Sequence, residues 1–401
     1  MQIKVLRGAN TIGGSIVEIT TAKARIIIDM GTELPSANKE DDDNFDIDGV
    51  TVGTPNCDAV LITHYHGDHV GMFEKVLPQV PIYMGEVAKK IYTTLQNTLK
   101  KKLDKGNPEL VERFKTFAPG KSFQIKDINV TPLTVDHSAF DAYAFLIEAD
   151  GKRVLHTGDF RMHGARGRKM PELFEKYAGN LDVLITEGTM LSRTSEKVLT
   201  QHEMGRQAEE LVANHKNVFV LCSSTNIDSI ANFYNAAIKA KKPFVVCEDD
   251  FQGEILRIIT KNSRSPFYNF DRQKVYTYGK SEKFQAMLQD RGFVMMSRVN
   301  WATEQAMRAF PDSLLIYSMW VGYLDKNRPA FDERTYNFVE RAKSAGARFE
   351  YLHTSGHATA EDIVKLVEIT KPRFVIPIHT ENAESLQGLV DTPVVFNELE
   401  V

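Results

Sequence analysis

Residues 63–69 read Thr63-His64-Tyr65-His66-Gly67-Asp68-His69 and follow directly on the apolar run Ala59-Val60-Leu61-Ile62. The run reads as a buried strand, and a glycine-containing turn at its end can throw several side chains to one side. His64, His66, Asp68 and His69 are all potential metal ligands. Imidazole suits zinc and its neighbours, and a carboxylate among imidazoles adds charge for a second ion, so the segment reads as half of a two-metal site. The competing reading is a surface turn that happens to hold histidines.

Working outwards, the same device recurs. Arg25-Ile26-Ile27-Ile28-Asp29-Met30-Gly31 is a strand ending in an acid and a glycine. Asp29 can either cap that strand or hold a ligand histidine by a hydrogen bond. A strand over residues 129–135 ends at Asp136-His137-Ser138, where a further ligand can join. The hairpin of residues 143–148 and 153–157, turned by Asp150-Gly151, leads into His156-Thr157-Gly158-Asp159-Phe160. Asp159, after a strand and a glycine, is well placed to bridge two cations. The strand before Glu187 delivers another carboxylate, and near the end His353-Thr354-Ser355-Gly356-His357-Ala358 and His379-Thr380-Glu381 each follow a strand. So many clusters at strand ends are not expected by chance in a chain with 11 histidines.

The 401 residues allow two ordinary domains or one with a large insertion. Hydrophobic residues at 42% and charged ones at 25% are those of a soluble globular protein, and a net charge of −4 gives no general affinity for polyanions. Any contact with nucleic acid must be local. Cys57, Cys222 and Cys247 form no Cys-x-x-Cys pair, which argues against a zinc ribbon or a disulfide framework. The first residues are interrupted by charge too early for a signal peptide, and no apolar run approaches membrane-spanning length. A soluble, cytoplasmic protein with no membrane partner is expected.

Helical spacing is found over residues 70–77, 86–103 and 196–214, and Glu40, Asp41, Asp42, Asp43, Asp46 and Asp48 form an acidic loop that would not welcome RNA. From about Ser192 strands and helices alternate, which predicts a mostly parallel, helix-covered sheet. Residues 241–343 hold 17 Lys and Arg against 13 Asp and Glu, a local balance of +4 that makes this part the better candidate for a phosphate-facing surface.

Taken in order, these clusters resemble the β-CASP branch of the metallo-β-lactamase superfamily, and its ribonuclease J-like members in particular. Asp29 matches that family's first motif, His64 to His69 the second, His137 the third and Asp159 the fourth. Glu187 matches motif A, His357 in Ser-Gly-His-Ala motif B, and His379 in Pro-Ile-His-Thr-Glu motif C. The resemblance implies an α/β chain with a four-layer αββα fold over residues 1–192 and 346–401, and an inserted α/β β-CASP domain over 193–345. It implies one metal held by His64, His66 and His137, a second by Asp68, His69 and His379, and Asp159 bridging both. Two divalent ions are expected, zinc first and manganese as the alternative. His at motif C is the pattern of RNA-processing members. Ser223-Ser224-Thr225-Asn226 resembles a phosphate-holding loop of ribonuclease J, and His353 and Ser355 join it as candidate phosphate contacts. Motif A here reads Glu187-Gly188-Thr189, where the family more often has Ser or Thr directly after its acid. With residues ending at Val401, the C-terminal domain of ribonuclease J is expected to be missing, and the oligomeric state is left open.

Two divalent ions lower the pKa of a bridging water and neutralise a scissile phosphate, so no protein nucleophile is needed. Asp68, His357 and Glu187 are the candidate catalytic residues, with His357 either protonating the leaving oxygen or only binding phosphate, and Glu187 orienting it. The expected activity is hydrolysis of RNA phosphodiesters. The alternatives are a hydrolase of a small phosphodiester or ester and a non-catalytic RNA-binding protein.

Overall fold

The computed structural model describes residues 1–34, 44–247 and 249–401, and the chain divides into two compact units, Met1–Lys197 with Gly356–Val401, and Val198–Ser355. Glu40 to Asp43 of the acidic stretch lie outside the described residues. Of the remainder, Asp46 pairs with Lys75 at 3.3 Å.

The first unit is built on two sheets. One has seven strands in the order Glu398–Glu400, Gln2–Arg7, Ile16–Thr20, Arg25–Ile28, Ala59–Leu61, Ile82–Gly85, Lys115–Phe117. The other has six, in the order Phe374–Ile378, Val183–Glu187, Lys152–His156, Tyr143–Ala149, Ile128–Thr134, Phe123–Ile125. Alternation along each strand decides what faces what. Ile26 and Ile28 of the first sheet meet Phe145, Ile147, Val183, Ile185 and Ile376 of the second in one buried cluster. The intervening residues Leu146, Leu184 and Val375 point the other way, onto helices Met170–Ala178 and Ala360–Thr370. Helix Glu86–Leu103 covers the first sheet beside Ile82–Gly85. The layers are therefore αββα, as expected. Each buried Ile or Leu in the middle layer contributes about 1.5–3 kcal/mol, and truncating Phe145 to Ala would cost about 3–5 kcal/mol.

Parallel pairing of Lys152–His156 with Val183–Glu187 and of that strand with Phe374–Ile378 has a functional consequence. Three C-terminal strand ends lie side by side, and residues 157–159, 188–189 and 379 leave the sheet at one edge. The hairpin between Tyr143–Ala149 and Lys152–His156 turns on Asp150 (φ 54°) and Gly151 (φ 71°), the pair of positive φ values that a type I′ turn requires.

Two expected helices start or stop elsewhere. The periodic stretch 196–214 becomes helical only at Gln201–Asn214, because Thr200 and Glu203 close a reciprocal capping box that defines the first turn. The stretch 70–77 splits into Gly67–Val70 and a short 3-10 turn, Phe73–Lys75. Gly71 lies between them, where a Cβ would meet Gly67 O at 2.5 Å and Thr32 Oγ1 at 2.6 Å.

The second unit is a six-stranded sheet in the order Val275–Thr277, Phe244–Val246, Phe293–Ser297, Asn217–Leu221, Leu314–Tyr317, Arg348–Tyr351, and every pairing in it is parallel. The insert ends later than the expected 345. Arg348–Tyr351 pairs with Leu314–Tyr317, so it is the edge strand of this sheet, and the chain returns to the first unit only at Gly356. At the other junction the division falls after Lys197 rather than after 192. Among the described residues no helix is long and apolar enough to cross a membrane.

Candidate metal centre

The turn after Ala59–Leu61 is held from below. Asp29 ends strand Arg25–Ile28 in the left-handed region (φ 62°), which Asp tolerates better than most residues. Fully buried there, it accepts from Thr63 N–H at 2.7 Å and Thr63 Oγ1–H at 2.8 Å, and lies 2.7 Å from His69 Nδ1. Its role is thus more than a strand cap: it fixes both the start of the turn and one ring of the cluster. Gly31 lets the neighbouring loop pass against the Asp68 carbonyl, where a Cβ would lie 1.7 Å from the oxygen.

Ligand-type atoms converge above this support. His64, His66 and His137 offer ligand atoms within 4.8 Å of one another, as do Asp68, His69 and His379, and as do His64, His69 and Asp159. Asp159 is common ground: its Oδ2 lies 3.2 Å from His69 Nε2, 3.9 Å from His64 Nε2 and 4.0 Å from His137 Nε2, while its Oδ1 lies 3.9 Å from His379 Nδ1. His66 Nδ1 and His137 Nε2 are 3.2 Å apart, and His379 Nε2 is 3.2 Å from Asp68 Oδ2. The other ring nitrogens are tied back. His137 Nδ1 donates to Gly356 O at 2.7 Å, and His379 Nδ1 meets Thr189 Oγ1 at 2.8 Å.

The cluster fits cations on its own chemistry. His64 Nε2, His69 Nε2 and both Asp159 oxygens are buried, and among the described residues none of them makes a regular hydrogen bond, His69 Nε2 and Asp159 Oδ2 meeting as an ion pair at 3.2 Å. Buried polar atoms are ordinarily paired, so four orphans facing one another need a shared partner. Burial holds the His64 and His137 imidazoles well below their ordinary pKa, and that of His66 at about 4, so these rings are neutral with lone pairs available. His69 is opposite: burial disfavours its charge, but the Asp159 and Asp29 carboxylates outweigh it and raise its pKa well above the ordinary value. Burial pushes the Asp159 and Asp68 carboxyls up, and the surrounding histidines more than reverse this, so both are held ionised.

Glu187 and His357 adjoin the cluster, and with Asp159 and His379 they too offer ligand atoms within 4.8 Å of one another. Glu187, fully buried, accepts from Phe160 N–H at 3.0 Å, Ala358 N–H at 3.2 Å and Thr189 N–H at 3.3 Å, and faces His357 Nδ1 at 3.1 Å. His357 Nδ1 is also 3.5 Å from Asp159 Oδ2. Burial lowers the pKa of this imidazole, but Glu187 and then Asp159 overcompensate and raise it. The unusual motif Glu187-Gly188-Thr189 finds its explanation here. At position 188 a Cβ would meet Leu191 Cδ1 at 2.6 Å and Thr380 Cβ at 3.0 Å, and Thr189 supplies the hydroxyl one residue later, 3.2 Å from His357 Nδ1.

The candidate phosphate contacts all lie in the second unit. Ser223 Oγ is 2.9 Å from Thr225 Oγ1, and Ser224 Oγ accepts from the buried Gln252 Nε2 at 3.1 Å. Asn226 spends its side-chain oxygen on Ser229 N–H at 3.2 Å as the cap of helix Ile227–Lys239, so only its amide NH2 can serve an anion. His353 and Ser355 follow strand Arg348–Tyr351, which is separated from Asn217–Leu221 by one intervening strand. Both groups therefore follow strands of the same parallel sheet.

Sequence reasoning missed Thr63 and Thr189, whose hydroxyls bond cluster histidines, and the fully buried pair Arg161–Asp136, with Nε to Oδ1 at 3.0 Å directly before His137. Adjacency of Asp136 to a histidine was the one available signal.

Residues 26–219 match the family described as "Beta-lactamase superfamily domain", and residues 346–389 that described as "Zn-dependent metallo-hydrolase RNA specificity domain". Ribonuclease J of Helicobacter pylori (strain B128) is 24% identical over 416 residues, which cover 95% of this chain and 56% of that protein. Ribonuclease J of Mycolicibacterium smegmatis is 22% identical, covering 94% of this chain and 68% of that one. The chain thus spans little more than half the length of the Helicobacter relative. A crystal structure of a protein of unknown function from Enterococcus faecalis V583 aligns over 100% of this chain and 99% of its own with a TM-score of 0.76 at 20% identity, a likeness of fold. The two family matches, over residues 26–219 and 346–389, together with the Ribonuclease J relatives aligned over about 95% of the chain, make the chain a member of the metallo-β-lactamase superfamily, in its β-CASP, ribonuclease J-like branch.

Proposed function

We propose that the chain is a metal-dependent phosphodiester hydrolase acting on single-stranded RNA. The observation that carries this reading is the set of buried, hydrogen-bond-orphaned atoms of His64, His69 and Asp159 converging at one sheet edge. One ion is assigned to His64, His66 and His137 and a second to Asp68, His69 and His379, with Asp159 shared, and zinc is the first choice of metal. When bound, such ions supply Lewis-acid charge to a phosphoryl oxygen and acidify water. The chain's own residues do the rest. Asp29, Gly356 O and Thr189 hold the rings of His69, His137 and His379 so that their other nitrogens face inwards. Glu187 faces His357 Nδ1 at 3.1 Å and, with Asp159, raises the pKa of the ring, which suits donation from Nε2 to a leaving oxygen better than simple phosphate binding. RNA is favoured as substrate by the ribonuclease J relatives, the RNA-specificity match and His379. A reducing cytoplasm is proposed on the free thiols of Cys57, Cys222 and Cys247.

The test compares matched RNA and DNA oligomers, with and without a 5′-phosphate, at one salt concentration with Zn²⁺ or Mn²⁺, using wild type and Asp159→Ala. RNA cleavage that is lost together with metal in Asp159→Ala is expected. Equal rates on RNA and DNA would remove the ribonuclease reading, and no cleavage of either would favour a small phosphodiester instead.

A further inference from the structure

Asp136 and Arg161 form an ion pair that is fully buried beside the metal cluster and takes no part in the chemistry assigned above. Burying two charges costs desolvation that an apolar pair of the same size does not, so such a pair is better explained by the geometry it fixes than by the stability it adds. Asp136 is bound at every polar atom. Arg161 Nε donates to its Oδ1 at 3.0 Å, Arg166 N–H to its Oδ2, Arg161 N–H to its carbonyl oxygen at 2.8 Å, and its own N–H lies 3.3 Å from Met170 Sδ. Gly164 makes room for this arrangement, since a Cβ there would collide with both Asp136 Oδ1 and Arg161 Nε.

The clamp joins two ligand-bearing loops that the sheet itself does not join. Asp136 directly precedes His137, and Arg161 follows closely on Asp159. Their strands, Ile128–Thr134 and Lys152–His156, are not neighbours, because Tyr143–Ala149 lies between them. Across this gap His137 Nε2 stands 4.0 Å from Asp159 Oδ2 and 3.2 Å from His66 Nδ1. Other contacts hold the rest of each loop. Tyr65 Oη accepts from Phe140 N–H at 2.9 Å at the far end of the His137 loop, and Gly356 O orients the imidazole. Asp159 is bracketed separately, with Gly158 N–H donating to His156 Nδ1 at 3.1 Å and Phe160 N–H to Glu187 Oε1 at 3.0 Å. Loosening the clamp therefore frees the near end of the His137 loop and leaves Asp159 in place. Among the described residues Asp136 makes no hydrogen bond or ion pair with Asp68, His69 or His379.

We propose that Asp136 is a positioning residue for the ion assigned to His64, His66 and His137, holding His137 in register with Asp159 through Arg161. This rests on the two-ion reading of the cluster and adds the residue that ties one ligand loop to the other. Zinc binding is measured by competition with a chromogenic chelator in wild type, Asp136→Asn and Gly164→Ala, with His66→Ala and Asp68→Ala identifying which binding step belongs to which ion. Asn keeps the shape of the side chain but turns an NH2 towards one of the two donors. Gly164→Ala leaves both charges in place and drives a methyl group between them, so a folding defect in one variant leaves the other to decide. The His66-dependent ion should bind about 10- to 100-fold more weakly, while the Asp68-dependent ion keeps its wild-type affinity. Both ions weakened alike, as a general loss of stability would give, or both unchanged, overturns the positioning role and leaves the two-ion reading intact. Wild type binding fewer than two ions removes that reading, and the role of Asp136 with it.

Discussion

Replacing Asp29 by Asn probes how the cluster is tuned, since the two side chains share a shape and both tolerate the left-handed backbone at that position. The carboxylate accepts all three of its contacts: Thr63 N–H at 2.7 Å, Thr63 Oγ1–H at 2.8 Å and His69 Nδ1–H at 2.7 Å. Once His69 is neutral, an acceptor there keeps the proton on Nδ1 and leaves the Nε2 lone pair facing Asp159. Asn can keep its oxygen on the Thr63 amide only by turning its NH2 towards His69 Nδ1. That donor forces the other tautomer, puts the proton on Nε2 and takes its lone pair away from a cation. Partners of this kind are worth about 10- to 100-fold in metal affinity, or about 1.4–2.7 kcal/mol. Thr63 Oγ1–H also loses its acceptor, which costs the ion-free protein a further ~1–3 kcal/mol. Zinc affinity measured by competition with a chromogenic chelator should fall accordingly, with a modest drop in the ion-free Tm. Unchanged affinity in Asp29→Asn would refute the tautomer argument.

Metal uptake should release protons, because His69 carries a charge in the ion-free protein and must lose it to become a ligand, whereas the lowered pKa values of His64, His66 and His137 leave those rings neutral already. Zinc affinity should therefore rise with pH up to the raised pKa of His69 and level off above it, which calorimetry in buffers of different ionisation enthalpy will read as released protons; no release at neutral pH would contradict it. His357→Ala should keep its metal by elemental analysis yet lose about 10²-fold or more in turnover together with the alkaline limb of the pH profile. Loss of an ion with an unchanged profile would instead make His357 a ligand. Asp362 accepts from Met162 N–H at 3.1 Å and Thr359 N–H at 3.3 Å and faces His163 Nδ1 at 3.3 Å; burial pushes its pKa up, but these partners lower it overall. Its contribution is thus full above the ordinary carboxylate range and lost as pH falls through the lowered value. Asp362→Asn should cost about 1 kcal/mol at pH 7, and its Tm deficit should shrink in acid below about pH 4.

Most of the first unit was legible because its signals are local. Strand Arg25–Ile28 ends at Asp29, the glycine turn follows Ala59–Leu61, Asp150-Gly151 closes a hairpin and His379 directly follows Phe374–Ile378; each depends only on neighbours in sequence. Bounds were less so: a capping box at Thr200 outweighed helical periodicity that begins earlier. What residue order alone could not decide is which strands pair. The texture of Arg348–Tyr351 suits either unit, and only its hydrogen bonds to Leu314–Tyr317 make it an edge of the insert's sheet. For the same reason Thr63, Thr189 and Gly356, which carry no metal-ligand chemistry of their own, became visible only in three dimensions. Their contribution is a hydroxyl or a carbonyl placed about 3 Å from a histidine ring, and the Thr189 and Gly356 contacts reach 190 and 219 residues along the chain. Ligand identity is written in residue type and spacing, but the orientation of each ring is set by long-range contacts, and these exist only once the two sheets have packed.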